Sequence, residues 1–310
     1  MGENGTTWLP EAASTIAPEV DALFYFVLWT SVVMFIGVVV AMAYYGMKFR
    51  RRDPSYVPPA HHESRLIETA SIVIPTILVL IVFTWGFKVF IKMYAAPPDS
   101  YEITVRGKQW FWEYEYDNGV VVANEFYVPI GRPVKLNMSA TDVLHSYFIP
   151  DFRVKHDVLP NRYTSLWFQV DEAGEYQVYC TEYCGTQHSA MLSTLVAVPQ
   201  AEFDSWLANQ NQDLPPAELG ELLYTQYACN ACHSTDGVAG VGPTFQGLYE
   251  AARPLADGST VTADDNYLRQ SILDPASQLV QGYGPVMPAT YTSFSAKQLD
   301  GLIAYIKALQ

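Results

Sequence analysis

Cysteine is scarce in this chain: there are four in 310 residues, and all four fall in two short motifs. None is left for a structural disulfide or a separate reactive thiol. Basic residues are also few, 18 Lys and Arg against 32 Asp and Glu, giving a formal charge of -14. That balance excludes a basic nucleic-acid-binding stripe but suits a cationic protein partner. The chain shows no internal repeat and no low-complexity tract. Half of its residues are nevertheless hydrophobic, which points to membrane segments joined to acidic domains, two or three units in all at this length.

Two runs account for much of that hydrophobicity. Leu23 to Tyr45 carries no charged residue, and Ile72 to Phe87 continues an apolar run from Leu66. Each reaches the roughly 20 residues that a spanning helix needs. The acidic lead-in of Glu11, Glu19 and Asp21, with no basic n-region, argues for a retained span rather than a cleaved signal peptide. Between the runs lie Lys48, Arg50, Arg51, Arg52 and Arg65, so the short loop is expected in the cytoplasm and both chain ends outside. The expected order is an outer N-terminal segment at 1–22, a first span at 23–48, a cytoplasmic loop at 49–65 and a second span at 66–94.

The first cysteine motif reads Cys180-Thr-Glu-Tyr-Cys184-Gly-Thr-Gln-His188-Ser-Ala-Met191. Two thiolates, an imidazole and a thioether are soft donors that suit copper. A cysteine pair alone in an exported domain reads as a disulfide; the His and Met at fixed offsets favour metal. A second imidazole must come from elsewhere, and His145, before an apolar strand, is the best candidate. His156 belongs to no such set, and His61 and His62 read as solvated loop residues. The second motif, Cys229-Asn-Ala-Cys232-His233, is the attachment signature of a c-type haem: two thioether links and an axial histidine. No spare Cys or His follows His233 to support zinc. Met287, between two prolines, is the expected sixth iron ligand, a pairing that raises the reduction potential.

After Ala96-Pro97-Pro98 the texture becomes short strands, at Tyr101–Arg106, Trp110–Tyr116, Val134–Ser139, Ser165–Val170 and Tyr176–Tyr179, punctuated by Gly, Pro and Asn. This spacing predicts a β-sandwich or barrel over 95–200. A brief helix at Ala201–Asn209 opens a linker at 201–216. Helical patterns at Glu218–Tyr227, Asp265–Leu273 and Ala296–Leu309 then define a last domain at 217–310.

The copper motif with His145 closely resembles the CuA centre of cytochrome c oxidase subunit II. The resemblance implies a binuclear copper held by His145, Cys180, the carbonyl of Glu182, Cys184, His188 and Met191, in a cupredoxin-like domain. Gly107-Lys-Gln-Trp110-Phe-Trp112-Glu-Tyr-Glu-Tyr116 resembles the family's aromatic stretch, which makes Trp110 the implied electron entry. Glu182 resembles a residue that helps bind magnesium against the partner subunit, and Asp142 an acidic position implicated in donor docking. In Phe152–Arg162, Asn161 stands where the family has glycine. Glu68 matches a glutamate at the mouth of a proton channel; a helix-end glutamate can also simply reach water. Gly240-Val-Gly-Pro-Thr-Phe-Gln-Gly247 and the closing helix resemble small bacterial c-type cytochromes, implying an all-α class I cytochrome c fold.

The fused order resembles subunit II of bacterial caa-type oxidases. It implies a multidomain membrane protein of the bacterial inner membrane, its metal domains on the periplasmic face. The implied partners are catalytic subunit I with its haem a and copper, other oxidase subunits, and a cytochrome c-like or other protein donor. No nucleic acid is involved. The oxygen-reducing site would lie on the catalytic subunit. The electron-input subunit of a nitric oxide reductase, and a membrane-tethered shuttle, are the alternative readings.

Overall fold

The computed structural model describes residues 5–57, 64–210 and 214–310. His61 and His62, and part of the expected 201–216 linker, lie outside the described residues. Helices α1 (Ala17–Lys48) and α2 (Arg65–Tyr94) form an antiparallel pair whose apolar windows have mean hydropathy 2.4 and no buried share. At 1.5 Å per residue α1 is about 48 Å long, more than the ~30 Å hydrocarbon core requires. It starts at Ala17 rather than 23, because Ser14 Oγ accepts from the Ala17 N–H and Pro18 fits the first turn. The added turns carry Glu19 and Asp21, which tie the hairpin to the next domain. Glu19 pairs with Lys92 at 2.5 Å. The Arg153 guanidinium clasps Asp21 Oδ1 at 2.7 Å, Asp21 Oδ2 at 2.9 Å and the carbonyls of Pro10 and Glu11. Trp167 Nε1 donates to the Lys92 carbonyl at the end of α2.

Ten strands follow: β1 (Tyr101–Lys108), β2 (Phe111–Tyr116), β3 (Val121–Ala123), β4 (Glu125–Pro129), β5 (Val134–Ala140), β6 (His145–Ile149), β7 (Val154–Val158), β8 (Thr164–Phe168), β9 (Gly174–Cys180) and β10 (Leu192–Val198). They build two five-stranded sheets, ordered β3-β2-β1-β5-β8 and β4-β10-β9-β6-β7. In β5 alternate residues Val134, Leu136, Met138 and Ala140 point inward, as a strand with one buried face requires. Trp112, Tyr114, Phe126, Tyr147, Phe152 and Phe168 fill the space between the sheets. Four strands, β3, β4, β7 and β10, go beyond those the sequence pattern predicts. Three-residue β3, Pro-ended β4 and polar β7 hold their pleat through pairing rather than pattern.

The brief helix expected over Ala201–Asn209 forms, and it packs on the β domain. Helix α3 (Gln200–Asn209) sets Phe203 edge-on to Tyr101 at 5.4 Å and stacks Trp206 on Tyr127 at 4.3 Å. Aromatic burial holds it there. The last domain contains α4 (Pro216–Gln226), α5 (Asp265–Leu273) and α6 (Ala296–Ala308). Where α4 crosses α6, a Cβ on Gly220 would lie 2.0 Å from the Gly301 carbonyl oxygen, so only glycine permits that approach. This domain departs from the all-α expectation by one short hairpin, β11 (Ala252–Pro254) and β12 (Thr260–Thr262), turned at Asp257-Gly258.

The two domains share an apolar seam. Phe111 and Ala123 of the β domain are buried with Leu223, Tyr227, Tyr291 and Leu302 of the helical domain. Phe111 stacks on Tyr291 at 5.9 Å and meets Tyr227 edge-on at 5.1 Å. Asn124 Nδ2 donates to the Gln226 carbonyl and Thr290 Oγ1 to the Gln109 carbonyl across the same seam.

Candidate metal and haem sites

Pairing of β6 with β9, Tyr147 opposite Cys180, brings His145 beside the first cysteine of the β9–β10 loop. His145 Nδ1 lies 3.8 Å from Cys180 Sγ. The two cysteine sulfurs are 3.8 Å apart, against about 2.0 Å for a disulfide, and both thiols are free. Cys184 Sγ is 3.4 Å from His188 Nδ1 and 3.7 Å from Met191 Sδ. The Glu182 carbonyl oxygen sits 3.3 Å from Cys180 Sγ. All six positions expected from the sequence thus meet in one cluster, and the donor atoms of its buried members His145, Cys180 and Cys184 lie within 4.8 Å of one another. Soft, closely spaced donors of this kind fit a copper centre.

Electrostatics within the cluster separate the two thiols. The hydrogen bond from the Cys184 thiol, with help from His145 and against the effect of burial, holds Cys180 well below the usual thiol range. The same contact with Cys180, together with burial, pushes Cys184 up. One sulfur is thus prepared as thiolate, and metal binding must displace the proton of the other. His145 is fully buried and its Nε2 bonds Asp142 Oδ1 at 2.9 Å. Burial alone would lower His145, but the Asp142 and Cys180 contacts outweigh it. Asp142 also accepts from the Gln109 and Val143 N–H groups. Its carboxylate therefore faces the cluster, where the family resemblance implied donor docking.

Trp110 packs over the loop. Its Nε1 and Gln109 Nε2 both donate to the Cys184 carbonyl, at 3.2 and 2.7 Å. Gly185 makes room for it, with φ +123° and a Cβ position that would lie 3.0 Å from the indole. Glu182 reaches the centre through its backbone carbonyl and is otherwise exposed, while Glu68 stands apart from it, in the first turn of α2. His156 is likewise outside the cluster, on β7.

The helical domain encloses a cavity with about 1420 Å³ of empty space, counting its open mouth. Cys229, Cys232, His233 and Met287 all line it. His233 Nδ1 donates to the Pro243 carbonyl at 2.7 Å, which leaves Nε2 as the free lone pair. Phe245 stacks on the ring at 4.6 Å. Burial, reinforced by the nearby Arg253 charge, lowers His233 and keeps the ring neutral, as a metal ligand must be. Burial also pushes Cys229 up to about 12. A large, mostly apolar cavity with two cysteines, a neutral imidazole and a thioether on its wall fits covalently bound haem.

Trp110, Gln187 and Ala190 of the β domain also line this cavity. Gln187 Nε2 lies 3.8 Å from Cys232 Sγ, and the next residue is His188 of the copper cluster. Gln187, Phe111 and Tyr291 are residues that sequence reasoning did not single out. The aromatic run around Phe111 was visible, but only the packed seam shows which ring faces which domain.

These features define a membrane-anchored redox protein with a cupredoxin-like metal domain and a cytochrome domain pressed against it. Comparison with known proteins agrees. Residues 119–198 match the family described as "Cytochrome C oxidase subunit II, periplasmic domain", 2–89 its transmembrane domain, and 217–310 "Cytochrome c". Cytochrome c oxidase subunit 2 of Alkalihalophilus pseudofirmus is 28% identical over all of this chain and 92% of its own length. That of Synechocystis is 29% identical over 69% of this chain and 79% of its own. The solved periplasmic domain of subunit II of cytochrome oxidase from Bradyrhizobium japonicum is 28% identical, with 37% of this chain and 96% of that one covered and a TM-score of 0.37. The chain belongs to the cytochrome c oxidase subunit II family, in the form that carries a cytochrome c domain behind the copper domain. It is an electron-transfer subunit of an oxidoreductase complex, with a membrane anchor and a periplasmic domain. Copper and haem c are its cofactors.

Proposed function

We propose that this chain takes electrons from a protein donor into its cytochrome domain and delivers them through its β domain to the catalytic subunit. There dioxygen is reduced to water with proton pumping. Bound haem c and a binuclear copper supply the one-electron chemistry. Cys229 and Cys232 would anchor the haem, with His233 and Met287 as axial ligands. His145, Cys180, Cys184, His188, Met191 and the Glu182 carbonyl would hold the copper pair.

One observation carries this reading: the two sites share a wall. Trp110 lines the haem cavity while bonding the Cys184 carbonyl, and Gln187 links Cys232 to His188. Trp110 is accordingly the entry point to copper, here facing the chain's own cytochrome domain. A β scaffold supports the low reorganisation that such transfer needs, because regular elements hold ligands better than mobile loops do.

The finer assignments extend the same reading. Exposed Glu182 is proposed to bind magnesium against the catalytic subunit, and Glu68 to stand at the mouth of its proton path. The chain is placed in the bacterial plasma membrane as a two-span protein, the basic loop inside and both metal domains outside. The proposed domain boundary shifts to place α3 with the copper domain.

Purification of the intact complex tests the whole. A copurifying subunit with haem a supports the oxidase; haem b with nonhaem iron would assign the chain to nitric oxide reduction, and no partner at all would leave a tethered shuttle. Within the chain, Asp142→Asn should weaken copper binding by roughly 10- to 100-fold, the usual cost of losing a group that orients a ligating histidine. Copper titration followed by near-infrared absorption measures this, with the haem band as internal control. Unchanged affinity would leave Asp142 a purely structural residue.

A further inference from the structure

The β1–β2 hairpin turns on two residues, Gln109 and Trp110, between the paired Lys108 and Phe111. Gln109 lies beyond the ladder, so its backbone N–H and carbonyl must find partners elsewhere. They find them on different bodies. The N–H donates to Asp142 Oδ2 at 2.7 Å. The side-chain Nε2 donates to the Cys184 carbonyl at 2.7 Å. The Gln109 carbonyl accepts from Thr290 Oγ1 of the helical domain at 3.3 Å.

The first two contacts grip the copper cluster from opposite sides. Asp142 Oδ1 bonds His145 Nε2, the far nitrogen of the ring whose Nδ1 faces Cys180. Cys184 carries the sulfur around which Cys180, His188 and Met191 gather. Trp110 Nε1 shares the Cys184 carbonyl at 3.2 Å, so two donors from one turn fix the plane of that peptide. The approach is close. A Cβ on Gly185 would lie 3.0 Å from Gln109 Nε2, and Gly185 has φ +123°, so glycine alone leaves the amide its place.

The third contact reaches toward the other site. Thr290 lies in the short turn Ala289–Ser293, three residues beyond Met287 of the cavity wall. The residue after Thr290 is Tyr291, whose ring stacks on Phe111 at 5.9 Å. That seam presses the Thr290 turn onto the hairpin tip.

We propose that Gln109 is a positioning residue of the copper centre, and that the seated cytochrome domain, through Thr290, sets the geometry at Cys184 and His145 by way of it. The inference rests on the reading that this cluster holds copper. Gln109 offers the metal no donor atom. It acts through the peptide of one ligand and through the carboxylate that orients another, and such supporting groups govern how well a metal is held. The copper site is therefore complete only while the cytochrome domain is docked.

The test is a double-mutant cycle in the full chain, read by copper affinity and by electron paramagnetic resonance of the bound copper. The visible haem bands are the control. Gln109→Met keeps the side-chain length and removes the donor; copper affinity should fall by roughly 10- to 100-fold. The copper hyperfine pattern should change with it, whereas a mere loss of stability lowers the amount of signal and not its pattern. Gln109→Lys returns an N–H donor at similar reach and should recover part of the loss. Thr290→Val keeps the shape and removes only the O–H. It should cost roughly 2- to 10-fold in affinity, the worth of one net hydrogen bond, and should move the same hyperfine pattern from the other domain. Because Thr290 acts through Gln109, its effect should shrink in the Gln109→Met background. Additive effects, or a wild-type affinity and pattern in Gln109→Met, overturn the proposal. If Gln109→Met does not fold, Thr290→Val decides alone, and unchanged copper signals overturn it. A wild-type chain that binds no copper overturns the underlying reading instead.

Discussion

Cys184→Ser is expected to abolish the copper centre while leaving the cytochrome spectrum intact. Cys184 is the hub of the cluster: its sulfur is within 3.8 Å of Cys180 Sγ, His188 Nδ1 and Met191 Sδ alike. A serine oxygen is a hard donor that would hold copper far less well than the soft thiolate it replaces. Loss of a group behind a ligand already costs roughly 10- to 100-fold, so removing a thiolate should cost on the order of 100-fold or more in copper affinity and in donor-driven turnover. Near-infrared absorption and metal content of the purified chain read the first effect, and the visible haem bands supply the control. Loss of haem with copper retained would reverse the assignment of the two motifs. Because Cys180 and Cys184 divide one proton unequally, copper should also load less readily as pH falls, since each metal must displace protons from sulfur.

The second large effect is expected for Met287→Ala. Met287 sits on the cavity wall in a loop between two prolines and packs against the seam formed by Tyr227, Tyr291 and Leu302. Thioether ligation raises the potential of a histidine-bound haem. Axial-ligand identity spans about 0.8 V across haem proteins, so its loss should lower the potential by on the order of 0.1 V and shift the visible spectrum. The copper spectrum should stay constant. A potential and spectrum like those of wild type would mean that another side chain binds the iron.

Much of the site could be read from the sequence because its ligands are local. Cys180, Cys184, His188 and Met191 span twelve positions, and one loop can supply a coordination sphere from such spacing. Cys229, Cys232 and His233 are closer still. His145 was harder: it reaches the cluster only through the pairing of β6 with β9, a contact between strands far apart in sequence. The role of Asp142 could not be read at all, since an acidic residue near a donor-binding face looks the same in sequence whether it points to solvent or to His145. The α3 helix is legible in the sequence but its packing is not, because a short, polar-flanked helix does not show that Phe203 and Trp206 lie against the sandwich.

The sequence by itself determined the module order, the two long apolar helices and which residues offer donor atoms at the two candidate sites, because hydropathy and donor spacing are properties of contiguous residues. Only the tertiary structure decided that the cytochrome domain lies against the copper loop, with Trp110 and Gln187 in the wall of the haem cavity. The physical reason is range: a seam built from Phe111, Tyr227 and Tyr291 depends on how rings more than a hundred residues apart pack together, and no local pattern encodes that.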